Sequence, residues 1–378
     1  MRILHAIPAL TKGGAEKVLV DLANEAHRRG HRVSVVTGYS ADPRLNLDRL
    51  DPAIASETIA TDRSGKLSAY ARLPLWLWRN RQRIAQFDVI HCHLTYAGLL
   101  GTLTQMQRRL RGDESPAVVE TFHGVGMPIP TRQKWLAAAL ARGRDGFALM
   151  AEEPFWNDFL AEHRKLPGAV IANGIALDPP VDPAAALTWR AEVGIPIRAE
   201  VVGTVGRLRA ERNPLATLGA FAAIARARPQ AHFVIAGDGP MIETVRSAAA
   251  ALGLAERLHL PGLVADPRLV LGNIDVYVTM NVGEITGLAG LEAAAAGLPL
   301  VALQARSDYL PQLSDWIWSS ADTAAVGTEV IRLLDDPAGR QVLAKRQRAH
   351  VIANFGVGRA QDHYEALYTR AIAHARGE

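Results

Sequence analysis

Residues 3–37 read ILHAIPALTKGGAEKVLVDLANEAHRRGHRVSVVT, and this stretch decides the fold. Short apolar runs over residues 3–7 and 33–37 predict strands, and the amphipathic segment 15–29 between them predicts a helix. Strands that are apolar along their whole length are typical of parallel sheets covered by helices on both faces. A strand, a helix and a second such strand therefore predict a βαβ unit.

The same alternation continues through the first half of the chain. Further strands are predicted over residues 89–91, 118–121, 146–150 and 170–171, with helices over 67–86, 96–109, 131–142 and 154–163. An α/β domain with a doubly wound, Rossmann-like parallel sheet is therefore predicted for residues 1–180.

A break in the pattern separates this domain from a second one. Residues 176–196 are rich in proline and glycine, which predicts a linker or domain edge. The alternation then restarts, with strands over residues 201–205, 231–236, 258–260, 275–279 and 300–303 and helices over 214–226, 241–252 and 288–296. A second doubly wound domain is predicted for residues 181–357.

The two predicted domains imply a place for a ligand. Domains of this kind facing each other form a central cleft at the carboxyl ends of their strands, where ligands usually bind. A last helix over residues 359–374, within the segment 358–378, is expected to pack back on a domain, and we predict the N-terminal one.

Composition narrows the class of partner. The 42 Lys plus Arg residues exceed the 38 Asp plus Glu residues too slightly to indicate nucleic acid. Anionic small molecules or an anionic membrane surface fit better, although a merely solvated surface explains the charge as well. The single cysteine, Cys92, excludes an internal disulfide and is typical of the cytoplasm. Because no run of about eighteen uncharged apolar residues occurs, we predict no membrane span, and any membrane contact would be peripheral, on the inner face.

Glycine-rich turns follow several predicted strands. The first, Thr11-Lys12-Gly13-Gly14-Ala15-Glu16, opens a helix, and Gly14 there lets a phosphate approach the helix amino end. A tight turn with no ligand fits this motif equally well. In the second domain, the turn Gly237-Asp238-Gly239-Pro240 follows a strand, and Asp238 is predicted to cap the next helix.

Two arginines lie on another loop of this kind. Arg207 and Arg212 follow the strand over residues 201–205, where two guanidinium groups can clamp a pyrophosphate. The alternative is that both are ordinary solvated loop arginines.

The most informative segment, residues 284–299, reads EITGLAGLEAAAAGLP. Gly287 precedes a helix that Gly297 ends. The amides of Gly287, Leu288 and Ala289 are then first-turn donors suited to a phosphate.

Two carboxylates belong to this segment. Glu292 lies about one turn into the helix and can bind a ribose diol, and Glu284 precedes the turn and can reach sugar hydroxyls. The alternative is that both are ordinary surface carboxylates, but the apolar residues after Glu292 indicate that it needs a partner.

These motifs together resemble the retaining glycosyltransferases of family 4, which have the GT-B architecture. The matching motifs run through nearly the whole chain in the family's order: Gly13-Gly14-Ala15-Glu16, Phe87-Asp88-Val89-Ile90-His91-Cys92-His93, Thr121-Phe122-His123-Gly124, Asn173-Gly174-Ile175, Gly206-Arg207-Leu208, Gly237-Asp238-Gly239-Pro240, and Glu284 with Glu292 before Gly297-Leu298-Pro299.

The resemblance implies a role for each matched residue. Arg207 and Arg212 hold a diphosphate and stabilise its charge, Glu292 binds the ribose and Glu284 the transferred sugar. On the phosphate and base side, the implied contacts are Gly14, Gly237, the amides of Gly287, Leu288 and Ala289, and Leu263 within the segment 261–264. His123 is implied at the sugar end of the cleft, without an assignment as a base.

The resemblance also implies the reaction. A sugar moves from a nucleoside-diphosphate sugar, with retention, to a glycan or lipid-linked acceptor in bacterial surface polysaccharide or glycolipid assembly. The family generally needs no bound metal, and no two aspartates here are separated by a single residue, so no cofactor is expected. The chain departs from the family at Arg212, where lysine is usual, and at Ile285 and Thr286, which add bulk beside the donor sugar.

Two other functions stay open at this point. One is a nucleotide-sugar epimerase or a phosphorylase of the same architecture. The other is a binding module that has lost catalysis, which the altered residues 285–286 permit.

Two further clusters have both a functional and a structural interpretation. His91 and His93 point to one face of a strand, but we expect structural histidines, because no third ligand is evident for a metal. Tryptophans stand among basic residues over 76–83 and 132–144, which suits membrane headgroups, although core tryptophans with solvated arginines are favoured.

Overall fold

The computed structural model describes residues 1–11, 13–39, 47–60, 65–112, 116–123, 131–152, 154–163, 165–280, 287–303 and 316–378. The chain divides into two compact units. The first comprises Met1–Ala176 and Phe355–Glu378, and the second comprises Leu177–Asn354. These limits lie within a few residues of the boundaries expected from the sequence.

The first unit contains a seven-stranded sheet in which each pair of neighbouring strands is parallel. Its strands are β1 (Arg2–Ile7), β2 (Arg32–Tyr39), β3 (Ala55–Ala60), β4 (Val89–His93), β5 (Ala117–Phe122), β6 (Gly146–Leu149) and β7 (Gly168–Val170), in the spatial order β3-β2-β1-β4-β5-β6-β7. The order reverses direction at β1, which is the doubly wound arrangement.

Helices cover this sheet. They are α1 (Gly14–Arg28), α2 (Gly65–Ile84), α3 (Leu94–Arg111), α4 (Thr131–Ala141), α5 (Pro154–Glu162) and α13 (Val357–Arg376), with a short 3-10 turn at Leu47–Arg49. All five residues of the central strand β4 are buried, which explains why its sequence is apolar apart from its histidines. Cys92 packs in one apolar core with Leu73, Leu77 and Leu100 of α2 and α3, and the histidines lie on the opposite face of the strand.

The last helix, α13, contributes to the first unit. It contacts α1, β5 and β6, and buries Tyr364 and Tyr368. A backbone bridge between Ile175 and Gly356 lies just before it.

The second unit repeats the plan with a six-stranded parallel sheet. Its strands are β8 (Val201–Val205), β9 (His232–Ala236), β10 (Leu258–Gly262), β11 (Val276–Met280), β12 (Leu300–Leu303) and β13 (Trp318–Ser320), in the order β10-β9-β8-β11-β12-β13. Its helices are α6 (Pro183–Glu192), α7 (Pro214–Ala227), α8 (Ile242–Ala251), α9 (Pro267–Leu271), α10 (Leu288–Ala295), α11 (Thr323–Asp335) and α12 (Pro337–Phe355), with a 3-10 turn at Ala210–Arg212. A continuous apolar core around Phe221 and Phe233 packs the helices on the strands.

Several elements were not predicted, namely the edge strands β3 and β13 and the helices α6, α9, α11 and α12. Half of the residues of strand β3 (ASETIA) are polar, and it pairs with β2 alone. Residues 176–196 are not a linker throughout, because α6 begins within them. Pro183 suits the first position of this helix, and the Asp182 side chain accepts a hydrogen bond from the Ala184 amide.

Among the helical segments that the structure describes, none is long and apolar enough to cross a bilayer.

Candidate functional site

The site predicted in the second unit lies at the carboxyl ends of its strands. Arg207 follows β8, Gly237 follows β9, and Leu263 follows β10, so three neighbouring parallel strands deliver them to one edge of the sheet. Residues 281–286 after β11 lie outside the described part of the chain, so the prediction for Glu284 has no structural outcome here. Gly287 and α10 follow that gap.

Backbone hydrogen bonds join the loops at this edge. The Gly206 amide donates to Ala236, the Leu208 amide to Asp238, and the Gly237 amide to Gly262, over 2.9, 3.0 and 2.7 Å. Gly237 has φ of +140°, and a Cβ there would lie 2.0 Å from the Gly206 carbonyl oxygen. Only glycine therefore allows the turn to pack against the loop that carries the arginines.

Asp238 does not have the role predicted for it. Helix α8 has Met241 as its N-cap residue, with no side-chain cap, and the Asp238 carboxylate instead accepts a hydrogen bond of 2.7 Å from the Gly239 amide. The prediction of a helix cap is wrong, because the chain makes one more tight turn before the helix begins. Asp238 stabilises that turn.

The charge of Arg212 interacts with several neighbouring side chains at this edge of the sheet. Loss of solvation lowers the pKa of its guanidinium below the usual value, the nearby charge of Arg207 lowers it further, and Tyr277 and Glu211 oppose the change. The guanidinium groups of Arg207 and Arg212 thus lie within electrostatic range of each other. Two neighbouring cations form a region where a diphosphate is favourable.

Tyr277 on β11 was missed by the sequence analysis. Its hydroxyl oxygen accepts from the Val205 amide at 3.0 Å and donates to the Val205 carbonyl at 3.1 Å, which ties β11 to the end of β8. Burial raises the pKa of Tyr277 to about 12, the charge of Glu292 raises it as well, and the charge of Arg212 lowers it. Tyr277 therefore lies within electrostatic range of both predicted ligand-binding side chains. The one available signal was a tyrosine within an apolar strand.

Helix α10 has the predicted form. Gly287 is its N-cap residue, and the helix ends at the C-cap Ala296, after which Gly297 has φ of +88°. The Leu298 amide donates back to Ala293 at 3.0 Å, which confirms Gly297 as the C-terminal glycine. Leu288 and Ala289 are the first two helical residues, so their amides have no acceptor earlier in the helix.

Glu292 is the fifth residue of α10. Its side chain is partly buried, and its Oε1 atom is inaccessible to solvent. It is therefore not the solvated surface carboxylate of the alternative interpretation.

The first unit carries the other predicted positions. Gly14 is the first residue of α1 and is exposed. The carboxylate of Glu16 folds over Gly13 and accepts a hydrogen bond of 2.5 Å from the Thr11 hydroxyl. A negative charge thus already lies at this turn, so the contact of Gly14 with a phosphate stays a prediction.

His123 follows β5 and belongs to a group of four imidazoles. Its Nε2 lies 2.9 Å from Nδ1 of His93, whose Nε2 lies 3.3 Å from Nδ1 of His5. His91 has separate partners, since its Nε2 is 2.7 Å from the Thr121 hydroxyl and its Nδ1 is 2.7 Å from the Tyr368 hydroxyl.

Burial determines the charge state of these rings. It lowers the pKa of His5 to about 3 and of His123 to about 4, and it lowers the pKa values of His91 and His93 well below the usual value. All four imidazoles are therefore neutral at pH 7.

The expectation that His91 and His93 lack a third potential metal ligand is wrong. One ligand atom each of His5, His91 and His93 lies within 4.8 Å of the others. Both ring nitrogens of His91 and of His93 already take part in hydrogen bonds, however. The arrangement fits a hydrogen-bonded network, and the prediction of no metal stays a prediction.

Two parts of the chain match known protein families. Residues 12–179 match the family described as Glycosyltransferase Family 4, and residues 199–336 match the one described as Glycosyl transferases group 1. The chain belongs to glycosyltransferase family 4. The matches cover most of the chain of this glycosyltransferase, and each falls mainly within one of its two units.

Solved structures with the same fold agree with this assignment. HepE of Anabaena in complex with UDP and glucose superposes with a TM-score of 0.78 over 98% of this chain and 99% of that one, at 18% identity. WaaG, a glycosyltransferase involved in lipopolysaccharide biosynthesis, superposes with a TM-score of 0.66 at 16% identity, over 97% of this chain and 99% of its own. The glycosyltransferase therefore has the predicted GT-B fold.

Two curated relatives are named for different molecules. The glycosyltransferase is 26% identical over 236 residues to alpha-monoglucosyldiacylglycerol synthase of Streptococcus pneumoniae, a match of 57% of this chain and about half (52%) of that protein. It is 24% identical over 398 aligned residues to D-inositol 3-phosphate glycosyltransferase of Corynebacterium efficiens, covering 95% of this chain and 91% of that one.

Proposed function

We propose that this glycosyltransferase transfers a sugar from a nucleoside-diphosphate sugar to a glycan or lipid-linked acceptor. The observation that carries the proposal is the convergence of Arg207, Arg212, the amino end of α10 and Glu292 at one edge of one sheet. Two cations and helix amides suit a diphosphate. A partly buried carboxylate one turn into the helix suits the ribose hydroxyls.

The chemistry follows from where charge develops. Breaking the bond between the sugar and the phosphate leaves negative charge on the departing diphosphate. Arg207, Arg212 and the amides of Leu288 and Ala289 stabilise that charge without needing to reorganise, which lowers the barrier.

Retention of configuration and independence of a metal are part of the proposal. The fixed cations supply the electrostatic stabilisation that a metal gives in other transferases. The sequence contains no pair of aspartates separated by a single residue to bind one. The similarity to a glucosyl-diacylglycerol enzyme and to WaaG supports an acceptor in glycolipid or surface polysaccharide assembly.

One experiment separates the proposal from its rivals. The protein is first tested by thermal shift against nucleoside diphosphates and their sugars, since a ligand raises the melting temperature by mass action. The stabilising donor, labelled in its sugar, is then incubated with and without a mixture of bacterial glycolipids and glycans. We expect nucleoside diphosphate and a labelled acceptor only when the acceptor is present, with or without a chelator. Conversion of the donor alone would indicate an epimerase, and binding without turnover would indicate an inactive module. Release of sugar phosphate from the glycans when inorganic phosphate is added would indicate a phosphorylase.

Peripheral contact with an anionic membrane is the second part of the proposal. Helix α2 exposes one face on which Arg72, Leu75, Trp78 and Arg79 follow one another at helical spacing, and Leu75 and Trp78 are 49% and 58% exposed. The Arg81 guanidinium lies 5.0 Å from the Trp78 ring centre. Exposed apolar rings beside cations suit the headgroup region of a bilayer.

The favoured interpretation of the tryptophans holds only in part. Trp76 is partly buried and donates to Glu57 over 2.8 Å, as a structural residue does. Trp78 and Trp135 are each 58% exposed, so they are not core residues. Arg144 was grouped with the surface cations, but it is buried and its Nε donates to Glu120 over 2.6 Å.

Flotation with vesicles containing anionic lipid tests this contact. We expect the protein to float with the vesicles at low salt and less so at high salt. The variant Trp78→Ser with Arg79→Gln should bind them several-fold less than the wild type. Trp318→Ser is the matched control, since Trp318 is 39% exposed in the other unit. No binding at low salt, or equal loss in the control, would remove the membrane contact from the proposal.

A further inference from the structure

We infer that His93 and His5 act as positioning residues that hold His123 in the tautomer protonated at Nδ1, so that His123 offers a ligand a hydrogen-bond donor. The inference rests on the proposed function only for the identity of that ligand, a sugar hydroxyl or acceptor oxygen. The tautomer itself is a property of the protein alone.

The strand register brings the three rings into a line. His5 on β1 is paired with His91 on β4, and His93 lies two residues further along β4. The side chains of His5, His91 and His93 therefore point to the same face of the sheet. His93 is paired with Thr121 on β5, and His123 lies two residues beyond Thr121. Neighbouring parallel strands therefore place His5, His93 and His123 within hydrogen-bonding distance in that order, at 3.3 and 2.9 Å.

Each hydrogen bond in the line needs one donor and one acceptor. A neutral imidazole carries one N–H and one lone pair, and these three rings are neutral because burial lowers their pKa values. Protonation of one ring therefore determines the others. Only two arrangements make both hydrogen bonds, and they run in opposite directions.

The first arrangement starts from His5. Its Nδ1–H donates to Nε2 of His93, and Nδ1–H of His93 donates to Nε2 of His123. His123 then carries its proton on Nδ1. In the reverse arrangement His123 donates from Nε2, and its Nδ1 is a lone pair.

The far nitrogen of His5 decides between them. Nε2 of His5 is buried and has no hydrogen-bond partner among the residues that the structure describes. In the reverse arrangement this atom would carry the proton, as a buried N–H without an acceptor, which is rarer in proteins than a buried acceptor without a donor. The first arrangement leaves only a lone pair there and is favoured.

The consequence concerns the role of His123. With Nδ1 protonated and Nε2 occupied by His93, the ring has no lone pair left to take a proton. His123 therefore binds an oxygen atom as a donor and is not a general base. His93 orients the ring, and His5 sets the direction of the line.

A second pair of imidazoles provides an internal reference. In the second unit, Nδ1 of His259 lies 2.8 Å from the Val193 carbonyl oxygen, and Nδ1 of His232 lies 2.9 Å from Nε2 of His259. Because a carbonyl only accepts, His259 must carry its proton on Nδ1, and His232 must donate from Nδ1 as well. Their nitrogen resonances therefore mark the positions expected for this tautomer.

The test is an NMR measurement of the full-length protein with ¹⁵N-labelled histidine rings at neutral pH. Long-range ¹H–¹⁵N correlations identify the protonated nitrogen of each ring, and loss of signals in His123→Asn assigns His123. We expect His123 to show the Nδ1–H pattern of His259. An Nε2–H pattern, or equal amounts of both, would overturn the inference. A change in the resonances of His5 and His93 on adding a chelator would also overturn it, because a metal would need lone pairs on both facing nitrogens.

Two variants test whether His5 determines the tautomer of His123. His5→Phe keeps the ring volume but removes the first donor, so His123 should become a mixture of the two tautomers. Thr121→Val is the matched control, since Thr121 contacts His91 and Tyr364 on the same face but takes no part in the line. It should leave the His123 resonances unchanged. If His5→Phe leaves the His123 tautomer pure, His5 does not set the direction.

Kinetics connect the line to the reaction. In His93→Leu we expect kcat to fall about fivefold, the loss of one hydrogen bond, with an unchanged Kd for the nucleoside diphosphate. Failure of any donor to turn over, with the expected tautomer present, would contradict the proposed function but not this inference. Normal turnover with the Nε2–H tautomer at His123 would contradict this inference but not the proposed function.

Discussion

The variant Arg212→Gln is expected to lower kcat for sugar transfer by about 100- to 1000-fold, the loss seen when a donor to a developing negative charge is removed. Arg212 lies in the 3-10 turn after β8, where loss of solvation and the nearby Arg207 lower the pKa of its guanidinium. A cation held under those conditions gains from a diphosphate that arrives to neutralise it. The gain increases as the bond breaks and charge accumulates on the leaving group.

Two comparison variants make this prediction specific. Arg209→Gln removes a guanidinium from the same loop, but the Nε atom of Arg209 already lies 3.2 Å from the Glu211 carboxylate. We expect its kcat to stay within about twofold, as is usual for exposed ion pairs. Arg212→Lys keeps the charge and should recover most of the rate while losing bidentate geometry. Equal rates for Arg212→Gln and the wild type would place the diphosphate elsewhere.

The second large effect is expected from Glu292→Gln. A charged hydrogen bond to a ribose hydroxyl contributes about 1.5–3 kcal/mol, so the Kd for the nucleoside diphosphate should rise about ten- to hundredfold. Glu292 lies on α10 with Oε1 buried, and its charge is within range of Tyr277. Isothermal titration calorimetry with the stabilising nucleotide measures the change.

A double-mutant cycle identifies the group that Glu292 binds. The wild type should lose affinity for a nucleotide that lacks the ribose hydroxyls, whereas Glu292→Gln should lose little more, because the two changes remove the same interaction. Glu243→Gln on α8 is the control, since that side chain is 77% exposed. Additive losses would show that Glu292 contacts another part of the ligand.

The sequence alone was sufficient for the repeated βα pattern. Apolar runs such as those at β8 and β12 identify buried parallel strands, because each is covered on both faces and has no charged side to present. Local turn chemistry was equally informative where backbone conformation requires a particular residue. Gly297 ends α10 as predicted, since its φ of +88° is unfavourable for other residues.

Edges and surfaces were harder to predict, for a physical reason. Strand β3 lies at the edge of its sheet and tolerates the polar sequence ASETIA. Exposure of Trp78 depends on which face of α2 packs on the sheet, and an amphipathic pattern interrupted by Pro74 left that open. Asp238 was a capable helix cap, but the chain extended the turn.

By itself, then, the sequence determined the two doubly wound units and the strand ends at which Arg207, Gly237 and Leu263 lie, because period, burial and turn residues are local properties. Only the tertiary structure brought Tyr277 within electrostatic range of Arg212 and Glu292, and only strand register aligned His5 and His93 with His123. Those contacts join residues that are distant in the chain. They arise from the order of strands within each sheet, which no local pattern encodes.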